Sequence, residues 1–216
     1  MPRALRISYP GAVYHVIDRG NDRWDVFLDD ADRRYYLELL SGAISSCRLK
    51  VYAYALMSNH IHLFLRTLLP NISEAMYRIN GDYSHYFNKR HRKTGHLFES
   101  RFKSKLVQAD RYFLGLLRYV HMNPVKAGIA AGPEQYRWSS HMAYLGNTDR
   151  VVSDPAETLL LFSDDPVRAR ALYLNFLGQP IPDKEWEVFG KERNGILGDA
   201  VFRNSLKKSG TGLLLK

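Results

Sequence analysis

Apolar positions recur along this chain at two spacings, and the changes from one to the other mark its elements. Residues 12–19 (AVYHVIDR) are rich in β-branched and aromatic side chains and stop at Gly20-Asn21, which predicts a strand closed by a turn. Asp29 or Asp30 then offers a cap to a helix whose apolar residues Tyr36, Leu39, Leu40, Ala43 and Ile44 share one face. Leu49 to Leu56 reads as a second strand, and Met57-Ser58-Asn59 turns the chain into a third, His60 to Arg66. Asn71 stands three residues before Glu74, a variant of the capping box, and opens a helix with Ile72, Met76, Ile79, Tyr83 and Phe87 along one side. A further extended run ends at Val107. Asp110 is expected to cap the next helix, with Phe113, Leu116, Leu117 and Val120 facing inward, and Asn123-Pro124 to end it. The order β-α-β-β-α-β-α predicts an α+β fold: a ferredoxin-like antiparallel sheet with two helices over one face.

Beyond Trp138 and Tyr144 the pattern changes. A polar link over residues 147–153 leads to short helical pieces around Glu157–Phe162 and Val167–Leu177, a break at Gly178 to Pro182, and a basic, glycine-dotted end. Residues 1–146 therefore read as one domain, and 147–216 as a small, mostly helical extension without readable chemistry. No internal repeat is visible.

Composition adds two constraints. At 216 residues and 45% hydrophobic, the chain can bury a substantial core, and 25% charged residues is the ordinary globular level. Its formal net charge is +9, which favours an acidic partner, nucleic acid being the commonest. The excess concentrates between Lys89 and Lys105, where seven lysines and arginines face the single acid Glu99 and alternate with His91, His96, Phe98 and Phe102. Cations that track a phosphate backbone, with aromatics on which bases stack, suit single-stranded nucleic acid. The lone Cys47 excludes an internal disulfide and a cysteine-based zinc site. The N-terminus lacks a signal peptide's apolar core and no run reaches the ~20 apolar residues that span a bilayer, so the chain reads as cytoplasmic with no membrane partner.

Few residues could carry chemistry. His60 and His62 lie two apart on an expected strand, so their imidazoles share one face at roughly 7 Å spacing along the backbone and can converge on one cation. Alone, such a pair is more often a packed or surface feature. Tyr119 and Asn123 stand four apart on one helical face; a tyrosine hydroxyl can act as a covalent nucleophile and an amide oxygen can complete a metal shell. With 14 tyrosines in the chain, spacing gives Tyr119 no special claim.

Four ordered motifs give it one. Tyr14-His15-Val16-Ile17-Asp18-Arg19-Gly20-Asn21, Met57-Ser58-Asn59-His60-Ile61-His62-Leu63, Gly95-His96-Leu97-Phe98-Glu99-Ser100-Arg101-Phe102-Lys103 and Arg118-Tyr119-Val120-His121-Met122-Asn123-Pro124 through Gly128 together resemble the single-tyrosine HUH transposases of the insertion-sequence 200 type. The similarity spans roughly residues 5–146 and is closest to the REP-associated branch. It implies a divalent ion, Mg²⁺ or Mn²⁺, held by His60, His62 and Asn123, with Tyr119 as the nucleophile. His121, about 200° around the helix from Tyr119, is a poor substitute ligand. His15 can face the same site, although a packed or hydrogen-bonded strand histidine is the simpler reading.

The same resemblance implies cleavage of single-stranded or hairpin DNA, including dispersed palindromic repeats. Attack by Tyr119 leaves a 5′-phosphotyrosine and a free 3′-hydroxyl, and a second 3′-hydroxyl reverses the step without ATP. A phenol ionises near pH ~10, so nearby positive charge must assist. Arg19, Asn21, Arg101, Lys103 and Lys105 are the expected DNA contacts. Long, tailed relatives tend to be monomeric while compact ones form dimers that share the tyrosine helix, which tilts the expectation toward a monomer. Two alternatives remain: a non-cleaving regulator that binds DNA hairpins, and a metal-dependent phosphodiesterase in which water attacks.

Overall fold

The computed structural model describes residues 6–147, 152–191 and 195–208; the first five residues and the glycine-dotted end lie outside them. In chain order the elements are β1 (Val13–Arg19), α1 (Asp30–Ser46), β2 (Leu49–Leu56), β3 (His60–Thr67), α2 (Ile72–His91), β4 (Lys103–Val107), α3 (Ala109–Lys126), α4 (His141–Tyr144), α5 (Ala156–Leu159), α6 (Pro166–Gly178), α7 (Asp183–Gly190), β5 (Gly195–Leu197) and α8 (Ala200–Lys208). The sheet order is β2-β3-β1-β4-β5, with the first four strands antiparallel. That is the expected ferredoxin-like sheet. The extension adds an unanticipated edge, because β5 pairs parallel to β4.

Alternation along the strands sorts side chains onto two faces. Ile61, Leu63 and Leu65 of β3 share a face with Asp18 of β1, whose carboxylate accepts from Asn80 on α2. Helices α1 and α2 cover this face and pack on each other. His62 and Phe64 point the other way, where Tyr119 and Phe113 of α3 meet them. The third helix thus roofs the opposite face, with α6 and α7 packed on it.

Local signals at the helix ends act as expected in one case of three. Asp29 caps α1 by accepting from the backbone of Ala31 and Asp32. Asn71 makes no side-chain cap; its amide instead donates to the Cys47 carbonyl at 3.0 Å. Asp110 lies inside the first turn of α3, which starts one residue earlier, after Gln108. At the other end, α3 runs through Pro124 to Lys126 rather than stopping at Asn123. Proline only withholds its own N–H from the Val120 carbonyl. Ala127 still donates to Asn123, and Gly128, at φ +70°, terminates the helix in the left-handed conformation glycine tolerates.

Buried side chains form one contiguous core that includes Tyr173 and Leu177 of α6, Phe189 of α7 and Leu197 of β5. The extension is part of the body rather than an appendage. Cys47 is buried, as a packed thiol should be. Among the described residues, no helix is long and apolar enough to cross a membrane.

Candidate active site

β3 begins at His60, directly opposite Arg19 at the end of β1. The His60 and His62 rings lie 5.0 Å apart, centroid to centroid, nearly perpendicular. Each has its Nδ1 engaged. His60 Nδ1 lies 2.7 Å from the Asn59 side-chain oxygen, and His62 Nδ1 lies 3.1 Å from Nε2 of His15. An imidazole whose Nδ1 donates keeps a lone pair on Nε2, the arrangement a metal ligand needs. Burial, then the charge of Arg19, lowers the His60 pKa to about 4. Burial, His60, His15, Arg19 and Lys105 hold His62 well below the ordinary histidine range. Both rings are therefore neutral near pH 7, and the positive charge around them suits an anion.

Helix α3 brings the remaining residues. Asn123 is buried and hydrogen-bonds His60. Tyr119, 5% exposed, sets its ring against His15 and His62 at 5.6 and 5.5 Å, edge-on to both. Two imidazoles, an amide and a phenol thus meet at one end of the sheet. Among the described residues no three His, Cys, Asp or Glu side chains are arranged to hold a metal ion, and the side chain that joins the His60–His62 pair from α3 is the Asn123 amide. Neutral imidazoles with both Nδ1 atoms occupied, beside an amide oxygen, are a donor set that could hold a divalent ion. His121 is excluded by its partners, Ser140 Oγ at 2.7 Å and the Tyr173 hydroxyl at 2.8 Å, away from the site.

The opposite side of the Tyr119 ring is covered by α7. Trp186 and Phe189 pack against it with tilted rings at 5.1 and 5.4 Å, and its hydroxyl lies under Gly190. Arg118 holds α7 through Glu185 at 2.9 Å. This cover corrects the expectation for Lys105. Its ammonium is buried and donates to the Val188 and Phe189 carbonyls, both at 2.7 Å, satisfying orphan acceptors at the end of α7 instead of facing DNA. Lys103 is held by Glu99, whereas Arg101 is exposed. Arg19 sits beside the histidines, and Asn21 donates its backbone N–H to Leu97 at 2.8 Å. The structure thus gathers His60, His62, Tyr119, Asn123 and Arg19, and leaves Arg101 and Lys103 on the neighbouring segment.

Family comparison bears on this geometry. A family model described as "Transposase IS200 like" matches residues 8–123, more than half the chain and every residue of the cluster. The chain belongs to the IS200-like transposase family. The chain superposes on a REP-associated tyrosine transposase solved bound to a REP hairpin, with a TM-score of 0.59 and 13% identity over 71% of this chain and 91% of the neighbour. A proposed transposase from Deinococcus radiodurans aligns with a TM-score of 0.37 and 17% identity, over 54% of this chain and 89% of that one. No curated protein sequence matches the chain.

Two features of this IS200-like transposase escaped sequence reasoning. Asn59 orients His60 with its oxygen while its Nδ2 donates to the Arg23 carbonyl at 3.1 Å, tying that histidine to the turn after β1. Its position beside the His-x-His pair was the only signal. That turn depends on Gly20, since a Cβ there would lie 2.0 Å from the Trp24 carbonyl. The α7 cover gave a fainter hint: Trp186 and Phe189 sit three apart on a polar helix, a stripe that needs something to bury it.

Proposed function

We propose that this chain cuts and rejoins single-stranded or hairpin DNA through a covalent tyrosine–DNA intermediate. The observation that carries the proposal is the phenol of Tyr119 packed edge-on against the His15–His62 pair, in a chain of the transposase family. Attack by the Tyr119 oxygen on phosphorus forms a P–O bond and expels the 3′ oxygen, leaving a 5′-phosphotyrosine and a 3′-hydroxyl. Attack by another 3′-hydroxyl reverses this and releases Tyr119. The bond energy is conserved, so no nucleotide triphosphate is needed.

His60, His62 and Asn123 would hold a divalent ion, Mg²⁺ or Mn²⁺. When bound, such an ion offsets the charge that develops on the scissile phosphate. His15 and Asn59 orient the ligand imidazoles, which burial keeps neutral. Arg19, opposite His60, places a fixed positive charge where the phosphate must lie. Tyr119 packs against His15 and His62 of its own chain, so the proposed site needs no residue from a second copy. The hairpin bound by the structural neighbour is a reasonable first substrate class for this chain as well.

The test is incubation of labelled hairpin single-stranded DNA with Mg²⁺ or Mn²⁺, resolved on a denaturing gel. Wild type is expected to shift label onto protein in a metal-dependent way, and Tyr119→Phe to abolish the shift by at least ~10³-fold. Cleavage without an adduct would assign attack to water. Binding with neither would make the chain a DNA-binding regulator, a reading favoured only by the cover over Tyr119.

A further inference from the structure

On the far side of β1 from the histidines, a groove of about 910 Å³ runs between α2 and residues 95–102. Its volume falls within the ~300–1,000 Å³ of typical small-ligand sites. Met76, Phe98 and Phe102 give it a buried apolar floor, and Tyr77, Arg6 and Arg101 stand around it. Tyr77 is 80% exposed and lies off the stripe by which α2 packs, so its ring supports no core. The Arg6 guanidinium lies 3.7 Å over the Phe102 ring and donates to the Phe102 carbonyl. The two acids of the lining are matched, Glu74 by Arg78 at 2.8 Å and Glu99 by Lys103, and Arg101 stands exposed at the rim.

The groove also shares a wall with the metal-ligand site. Glu99 donates its N–H to the Arg19 carbonyl, Asn21 donates to Leu97, and Gly20 bridges Phe98. Along β1, Asp18 turns its carboxylate toward Asn80 of the groove, while the next residue, Arg19, stands opposite His60. One strand end thus separates the two sites.

We propose that this groove binds an unpaired nucleotide segment of the substrate strand, with a base stacked on Tyr77 and its phosphates facing Arg6 and Arg101. The inference rests on the DNA-processing reading above and extends it to a second contact region. An aromatic ring beside cations, over an apolar floor, recognises single-stranded nucleic acid because every base has a π face and every linkage a charge. Loss of one base–aromatic stack typically weakens binding by about tenfold.

The experiment is fluorescence anisotropy in a Tyr119→Phe background, with a single-stranded oligonucleotide and an abasic oligonucleotide that has the same phosphates and no bases. Tyr77→Ala is expected to weaken the base-bearing strand about tenfold and leave the abasic strand unchanged. Tyr77→Phe should stay within about twofold of the parent. Arg101→Gln should weaken both strands and reduce the salt slope by ~1. Equal effects of Tyr77→Ala on both strands, no effect on either, or no binding of either by the parent would overturn the groove assignment. Cleavage is not read out, so the two proposals fail separately. An adduct formed without the Tyr77 difference leaves Tyr119 chemistry intact, and the Tyr77 difference without an adduct leaves the groove intact.

Discussion

His62 can give a metal its Nε2 lone pair only if Nδ1 carries the proton, and that proton must point at an acceptor. Among the described residues its partner, 3.1 Å away, is Nε2 of His15. His15 must then be protonated on Nδ1, an atom buried without a hydrogen-bond partner. That configuration is unfavourable, which marks His15 as a positioning residue for its neighbour rather than a group placed for packing. His15→Phe removes the acceptor while keeping the ring volume, and should lower Mn²⁺ affinity by about 10–100-fold in titration calorimetry. His15→Gln, which retains an acceptor, should recover part of it, and Tyr119→Phe should leave it unchanged. If His15→Phe binds Mn²⁺ as tightly as wild type, the stacked pair is only core.

Between elements, α3, α4 and α6 are fastened by a buried polar chain. His121 pairs with Ser140 and the Tyr173 hydroxyl, and that hydroxyl also meets His141 Nδ1 at 2.7 Å. Burial holds His121 well below the usual histidine range and lowers His141 to about 4, so both are neutral when folded. An unfolded histidine takes up a proton near pH ~6.5. The unfolded chain therefore binds more protons below that value, and the contribution is full above pH ~6.5 and drains as pH falls toward about 4. Buried Asp18, pushed up to about 8, acts in the opposite sense over the same range, so a difference measurement is needed. Between pH 6.5 and 4.5, wild type should lose about 2 kcal/mol more stability in urea than His121→Gln; parallel losses would show that His121 does not titrate on unfolding. This fastening was invisible in the sequence for the same reason that Asn71 fails to cap its helix: each partner lies many residues away. What could be read was local. The β-branched run of residues 12–19, the Asp29 cap and the apolar stripe of α2 depend on neighbours within a turn or a strand. His60 and His62 were legible because a strand puts alternate residues on one face. Their meeting with Tyr119 followed from motif resemblance rather than spacing, and three-residue β5 is too short to leave a periodic signal.

At the scale of the molecule, the extension covers the surface of Tyr119 that DNA would have to reach in the proposed reaction. Trp186 and Phe189 lie on the Tyr119 ring and Gly190 sits over its hydroxyl, which leaves Tyr119 5% exposed. The clamps are few: the Arg118–Glu185 pair, Lys105 on the terminal carbonyls of α7, the Lys126 ammonium 5.4 Å from the Trp186 ring, and close approach at Gly115. A Cβ at Gly115 would already lie 3.3 Å from Phe189, so Gly115→Leu would wedge the helices apart one turn from Tyr119 without touching a ligand or the nucleophile. Trp186→Ala removes the cover from the other direction. If displacement of α7 precedes reaction, shifting that equilibrium by ~1.4 kcal/mol raises adduct formation tenfold, and both variants should form the Tyr119–DNA adduct at least about tenfold faster, with Mn²⁺ affinity unchanged. The stability readout separates this from damage, since a variant that merely unfolds would lose its adduct and its cooperative urea transition together. Unchanged adduct rates in two stably folded variants would mean that α7 is already displaced in solution or that DNA approaches Tyr119 without moving it, and the extension would then be a structural brace for α3 alone.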